Sequence, residues 1–90
     1  MYQITYHSQI KTDLKQIGTR EQRRIRQAIE GKILTDPIQF GKPLQHSLRG
    51  LRSLRVGDYR VVFQLSENEV YVVLIAHRSA VYKQANKRVT

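Results

Sequence analysis

Residues 51–82 read LRSLRVGDYRVVFQLSENEVYVVLIAHRSAVY, and their reading decides the fold. Three strand-like runs follow one another closely. Gly57-Asp58, a two-residue hairpin signal, separates the run containing Leu54 and Val56 from the run Tyr59 to Leu65. Ser66 to Glu69 form the next turn, and Val70 to Ala76, apolar on both faces, reads as a central strand. Cationic and titratable side chains punctuate these runs: Arg52, Arg55, Arg60, His77, Arg78 and Tyr82. Successive strand residues face opposite ways. Tyr59, Val61, Phe63 and Leu65 therefore share one face, and Arg60, Val62 and Gln64 the other. The same rule puts Ser53 and Arg55 on one face and Arg52 on the opposite one.

Upstream, Tyr2, Ile4 and Tyr6 alternate with polar residues and predict a first strand. Ser8 is a candidate N-cap for a short helix whose apolar face is Ile10, Leu14 and Ile17, with Gly18 at its end. Thr19 and Gln22 have capping-box spacing and predict a second helix at once. Its stripe is Ile25, Ala28, Ile29 and Ile33, and Pro37 sets its end near Leu34 or Thr35. Residues 36–50, DPIQFGKPLQHSLRG, form a connection tacked down by Ile38, Phe40 and Leu44. Residues 79–90 read as a short basic tail carrying Lys83, Lys87 and Arg88. The order β-α-α-β-β-β gives a single α+β domain over residues 1–90, with a helix hairpin packed on a four-stranded, mainly antiparallel sheet. Its other sheet face is expected to be open, with Arg60 standing in the middle of it.

Composition narrows the function. The 90 residues contain no cysteine, which excludes disulfides and a thiolate nucleophile. His7, His46 and His77 lack metal-ligand spacing, so neither a metal nor a cofactor is expected. No run of about 18 apolar residues is present and the N-terminus has no apolar signal core, so a cytoplasmic protein without a membrane partner is expected. The formal net charge is +9, from 16 Lys and Arg against 7 Asp and Glu. An excess of that size in one small domain points to a polyanionic partner.

A basic sheet surface suits RNA cleavage by the ribose 2′-OH on its adjacent phosphate. That reaction needs no metal. It needs a base for the 2′ proton, an acid for the leaving 5′ oxygen, and cations for the phosphorane. Arginine suits the last task because its fork binds two phosphate oxygens and stays charged. Arg60 and Arg78 are the candidates, with Arg55 assisting. His77 is placed for acid–base work, and Tyr82 for proton transfer or base stacking. Arg20, Arg23, Arg24 and Arg26 on the second helix read as a solvated or partner-binding face.

The fragment LRVGDYRVVF (54–63) followed by LIAHRSAVYK (74–83) resembles the RelE/ParE superfamily of type II toxins, and is most similar to the RelE branch, often called RelE/StbE. The resemblance spans nearly the whole chain, including the element order. It implies a toxin that enters the ribosomal A site and cleaves translated mRNA without a metal. It also implies a cognate antitoxin that wraps and neutralises the toxin, in a hetero-oligomer that binds operator DNA through the antitoxin. Arg60 matches the arginine of the family's central strand. Arg78 and Tyr82 match its C-terminal arginine and tyrosine, and His77 a histidine common where the chain reads HR. On this likeness Arg60, His77, Arg78 and Tyr82 form the catalytic set, and Arg52, Arg55, Lys83 and Lys87 bind RNA. Two positions depart from the family. Relatives often carry a cation where this chain has Ser53, and no glutamate lies between Glu30 and Glu67 to serve as the base that some relatives use. The alternative within the superfamily is a ParE-like inhibitor of DNA gyrase, which requires no acid–base residue.

Overall fold

The alternating runs of residues 51–77 form an antiparallel meander in the computed structural model, which describes residues 2–89; Met1 and Thr90, included in the expected domain, lie outside the described residues. The meander is β3 (Leu51–Val56), β4 (Tyr59–Leu65) and β5 (Glu69–His77). The β3–β4 hairpin turns at Gly57, whose φ of 62° is a left-handed value that glycine adopts without a Cβ penalty. β1 (Gln3–Tyr6) joins β5 in parallel. The sheet therefore runs β1-β5-β4-β3-β2 and has five strands, not the expected four. The extra strand, β2 (Lys42–Pro43), pairs Lys42 with Ser53 and Pro43 with Arg52. Proline is tolerated there because an edge strand does not need every N–H in its ladder.

The helix hairpin packs on one face as expected. α1 (Ile10–Lys15) and α2 (Thr19–Ala28) are followed by a π-helical turn over Ile29–Ile33 and the short α3 (Pro37–Phe40). Ile10, Ile17, Ile25, Ile29 and Ile33 close against Leu54, Val61, Phe63, Val70, Val72 and Ile75. Both expected caps are corrected. Ser8 does not cap α1; the backbone N–H of Gln9 donates instead to His7 Nδ1. Thr19 is already helical, with Gly18 before it. Gln22 reaches back to donate to the carbonyls of Leu14 and Ile17 at 2.8 and 2.7 Å. Leu14 is in the last turn of α1 and Ile17 lies between the two helices, so Gln22 joins α2 to the end of α1.

The second face is covered, contrary to the expectation of an open one. The supposed tail is a helix, α4 (Val81–Val89), whose Val81 and Ala85 lie one turn apart and are buried. With Leu44, Leu48 and Leu51 they form a second core over Val62, Val73, Leu74 and Ala76. A bulge makes this possible. Val62 pairs Leu74 while Phe63 pairs Val72, so Val73 is the extra residue and turns the alternation of β5 over. Val73 and Leu74 consequently feed the same core.

An ion pair fastens α4. Pairing between β1 and β5 ends at Tyr6 and Val72, which leaves the edge of β5 without a neighbour strand. Asp13 of α1 takes over there: its carboxylate accepts the Ile75 N–H at 3.1 Å. Arg88 of α4 holds the same carboxylate through two donors, at 2.6 and 2.9 Å, and also donates to the Val73 carbonyl at 3.1 Å. Both side chains are nearly enclosed, 12% exposed for Arg88 and 8% for Asp13. Among the described residues no helix is long and apolar enough to cross a membrane.

Candidate active site at the hairpin end of the sheet

The β3–β4 turn gathers the cations. In the hairpin register Arg55 sits directly opposite Arg60, and Ser53 opposite Val62. All four belong to the face covered by α4, with the two arginines at its turn end. Like charges in directly opposed positions destabilise a sheet, so this pair opposes folding. Neither arginine has a carboxylate partner among the described residues. Arg55 Nε donates to the Gly57 carbonyl at 2.8 Å. Arg60, half-buried, turns the other way, and its Nη1 donates to Ser53 Oγ at 2.9 Å. Ser53 is 2% exposed.

Arg78 is held at the same end, because its backbone N–H donates to the Asp58 carbonyl at 2.8 Å. Its side chain is exposed, as is Tyr82 in the first turn of α4, at 45%. Neither side chain is hydrogen-bonded among the described residues. Glu67 and Glu69 lie at the far end of β4 and β5, roughly 20 Å away at about 3.3 Å per residue. The sheet is thus cationic at one end and acidic at the other.

The other predicted residues separate from this group. His77 pairs with Tyr59, not with Arg60, and so belongs to the helix-packed face. Its ring meets Tyr59 edge-on, with centroids 5.8 Å apart and planes at 78°. Its Nδ1 accepts the Ser79 N–H at 3.2 Å and lies 2.8 Å from Ser79 Oγ. An acceptor at Nδ1 puts the ring proton of the neutral form on Nε2. Arg52 also faces the other way, donating to the Gly41 carbonyl at 2.8 Å and so anchoring the 36–41 segment to the sheet. Lys83 and Lys87 are exposed on α4. Among the described residues no three His, Cys, Asp or Glu side chains converge as a metal site.

Two features escaped the sequence reading. Ser53 was registered as a missing cation, but it is the acceptor that orients Arg60. The signal for it was available, since Ser53 and Arg60 share a face and are diagonal neighbours across the hairpin. Arg24 of α2, expected on a solvated or partner-binding face, is exposed, and its guanidinium also lies over Gly57, with Nη1 3.4 Å from where a Cβ there would stand. Nothing in the spacing of α2 pointed to that contact.

This fold recurs in known proteins. Residues 4–82 match the family described as ParE toxin of type II toxin-antitoxin system. The chain belongs to this family, within the RelE/ParE superfamily. Curated relatives include proteins named toxin RelE and toxin RelG. The toxin is 33% identical over 84 residues to toxin RelE of Mycobacterium tuberculosis, covering 91% of this chain and 87% of that protein. Its fold superimposes on the M. tuberculosis toxin-antitoxin complex RelBE2 with a TM-score of 0.79 at 25% identity, covering 86% of this chain and 98% of that one. A mutant of E. coli toxin RelE in the free state gives a TM-score of 0.74 at 20% identity, covering 99% and 98%. This chain is a type II toxin of the RelE kind.

Proposed function

We propose that the toxin is a ribosome-dependent mRNA endonuclease that stops translation by metal-independent attack of a ribose 2′-OH on the adjacent phosphate. One observation carries this reading above the family likeness: two directly opposed arginines, without carboxylate partners, at the exposed end of a sheet. A phosphate between or beside them would relieve their repulsion, and a phosphorane would do so more strongly because it bears more charge. In the reaction the 2′ oxygen bonds to phosphorus as the bond to the 5′ oxygen breaks. The products are a 2′,3′-cyclic phosphate and a 5′-hydroxyl. Arg60 stabilises the phosphorane, and Arg55 and Arg78 hold flanking phosphates.

Tyr82 is the candidate for moving protons, because it is exposed beside Arg78 in sequence and carries an ionisable hydroxyl. His77 enters differently from the initial expectation. With Nδ1 committed to Ser79, the neutral ring offers an Nε2–H donor, which supports a role in binding an RNA oxygen and not in taking the 2′ proton. Lys83 and Lys87 extend the basic surface along α4. The partners that follow are a cognate antitoxin of acidic character, the ribosome with its mRNA, and operator DNA reached through the antitoxin. The RelBE2 relative was solved as a toxin-antitoxin complex, which supports the first of these.

The test is to add purified toxin to ribosomes programmed with a defined mRNA and to map the ends produced. Cleavage leaving 2′,3′-cyclic or 3′ phosphate ends is expected. Intact mRNA on the ribosome, while expression in cells still arrests growth, would sink the nuclease reading. Inhibition of DNA gyrase supercoiling by the same preparation would then establish the ParE-like alternative.

A further inference from the structure

We infer that Ser53 is a positioning residue that fixes the guanidinium of Arg60 for phosphate binding; the inference rests on the nuclease reading for its catalytic consequence, but not for its binding consequence. Ser53 is the buried polar side chain of the core among the described residues. A hydroxyl enclosed in an apolar sheet needs a partner, and its partner is Arg60 Nη1 at 2.9 Å. The cross-strand register explains why these two meet. Ser53 is opposite Val62, one pleat inward from the opposed Arg55 and Arg60. Arg55 is drawn toward the turn by the Gly57 carbonyl, and Arg60 is drawn toward the sheet interior by Ser53. The two guanidiniums therefore diverge along the strands, and an anion can approach Arg60 without Arg55 having to move.

A neutral acceptor suits this arrangement. A carboxylate at position 53 would also hold Arg60, but it would cancel the charge that the phosphate needs. A hydroxyl takes one of five guanidinium N–H donors and leaves the others, with the full positive charge, for the ligand. Without it, Arg60 has several rotatable bonds and no fixed direction, and misplacement of a catalytic group by about 1 Å costs on the order of a hundredfold in rate.

The experiment compares wild type, Ser53→Ala, Arg60→Ala and the double variant. On programmed ribosomes, Ser53→Ala should lower kcat by about tenfold to a hundredfold with KM within about twofold. In the Arg60→Ala background the same change should have no further effect on kcat. Equal losses from Ser53→Ala in both backgrounds would overturn the inference, since they would mean a structural role independent of Arg60. In parallel, inorganic phosphate is titrated into the isolated protein and followed at the Arg60 Nε–H NMR signal. Wild type should respond saturably, and Ser53→Ala should require several-fold more phosphate. If wild type cleaves nothing, the nuclease reading fails while this titration still decides the role of Ser53. No response in wild type, or the same response in both proteins, overturns it.

Discussion

Replacing Asp13 with alanine should loosen α4 and destabilise the whole domain, although Asp13 is not one of the candidate site residues. The carboxylate receives three donors: two from Arg88 and the Ile75 N–H. Asp13→Ala leaves a guanidinium enclosed at 12% exposure without its counter-charge. Removing one partner of a buried pair costs about 3–5 kcal/mol. The orphaned Ile75 amide, on the order of 1–3 kcal/mol if it stays dry, falls within that figure to the extent that Arg88 swings out and admits water. A 90-residue domain has roughly 5–13 kcal/mol in all, so about a quarter of its stability or more is at stake. At about 4–8 °C per kcal/mol, Tm should drop by at least about 12 °C. Asp13→Asn removes the charge and part of the hydrogen bonding. Its one oxygen can still accept from Ile75 N–H and Arg88 Nη1, but its NH2 group faces Arg88 Nη2, donor against donor. One bond to Arg88 is lost and the other becomes neutral, a loss of about 1–3 kcal/mol. The assay is urea unfolding for the global value, with hydrogen exchange at Ile75 and along α4 for the local one. A cost under about 1 kcal/mol for Asp13→Ala, with α4 amides as protected as before, would refute the reasoning. It would show that Arg88 gains nothing from the carboxylate beyond what water supplies.

Other expectations are nearer the site or the backbone. Arg60→Ala should lower cleavage by about a hundredfold to a thousandfold, yet change stability by less than about 1 kcal/mol, because losing the opposed like charge offsets the lost bond to Ser53. Cleavage kinetics and urea unfolding on one preparation check both halves. Gly41→Ala should cost about 1–3 kcal/mol in unfolding experiments, since a Cβ there collides with the Phe63 ring and the Pro37 carbonyl. Burial, and then the charge of Glu30, push the Tyr6 hydroxyl above its usual pKa, with Arg26 acting in the opposite direction. The folded state therefore holds that proton more tightly than the unfolded chain, and stability should fall as pH rises above about 10. Tyr6→Phe should lessen that fall in alkaline thermal melts.

The parts of the fold legible in the sequence are those where one periodicity held over a whole element. Tyr59 to Leu65 is apolar at every second position and is β4 residue for residue. Ile25, Ile29 and Ile33 keep helical spacing and are buried together. What stayed hidden depends on breaks in period. Val73 and Leu74 are adjacent yet share a face, and a period-two reading assigns them to opposite faces. The apolar character of β5 on both sides was noted but taken as evidence of a central position. It was equally evidence of cover on both faces, and Val81 and Ala85, four apart, were the stripe that supplies the cover. Asp13 and Arg88 lie 75 residues apart, and no local pattern connects them.

The site follows the same division, with one difference. Alternation correctly put Ser53 and Arg55 on one face and Arg52 on the other, because the hairpin turn fixes that register within ten residues. His77 went astray for a reason of the same kind. It was grouped with Arg78 and Tyr82 by sequence proximity, but the bulge at Val73 sets which face each later residue of β5 takes, and His77 pairs with Tyr59 on the helix side. If β5 ran without the bulge, position 77 would join Arg60, and Ala76 would leave the core under α4. The irregularity that completes the second core therefore also removes the histidine from the arginine pair. Deleting Val73, the extra residue, removes the bulge by shortening β5, and so leaves Leu74 opposite Val62 and His77 opposite Tyr59. The Tyr59 ring-current shift on His77 should therefore persist in the deletion variant. Loss of that shift would show that pairing with β4 does not set the face of His77.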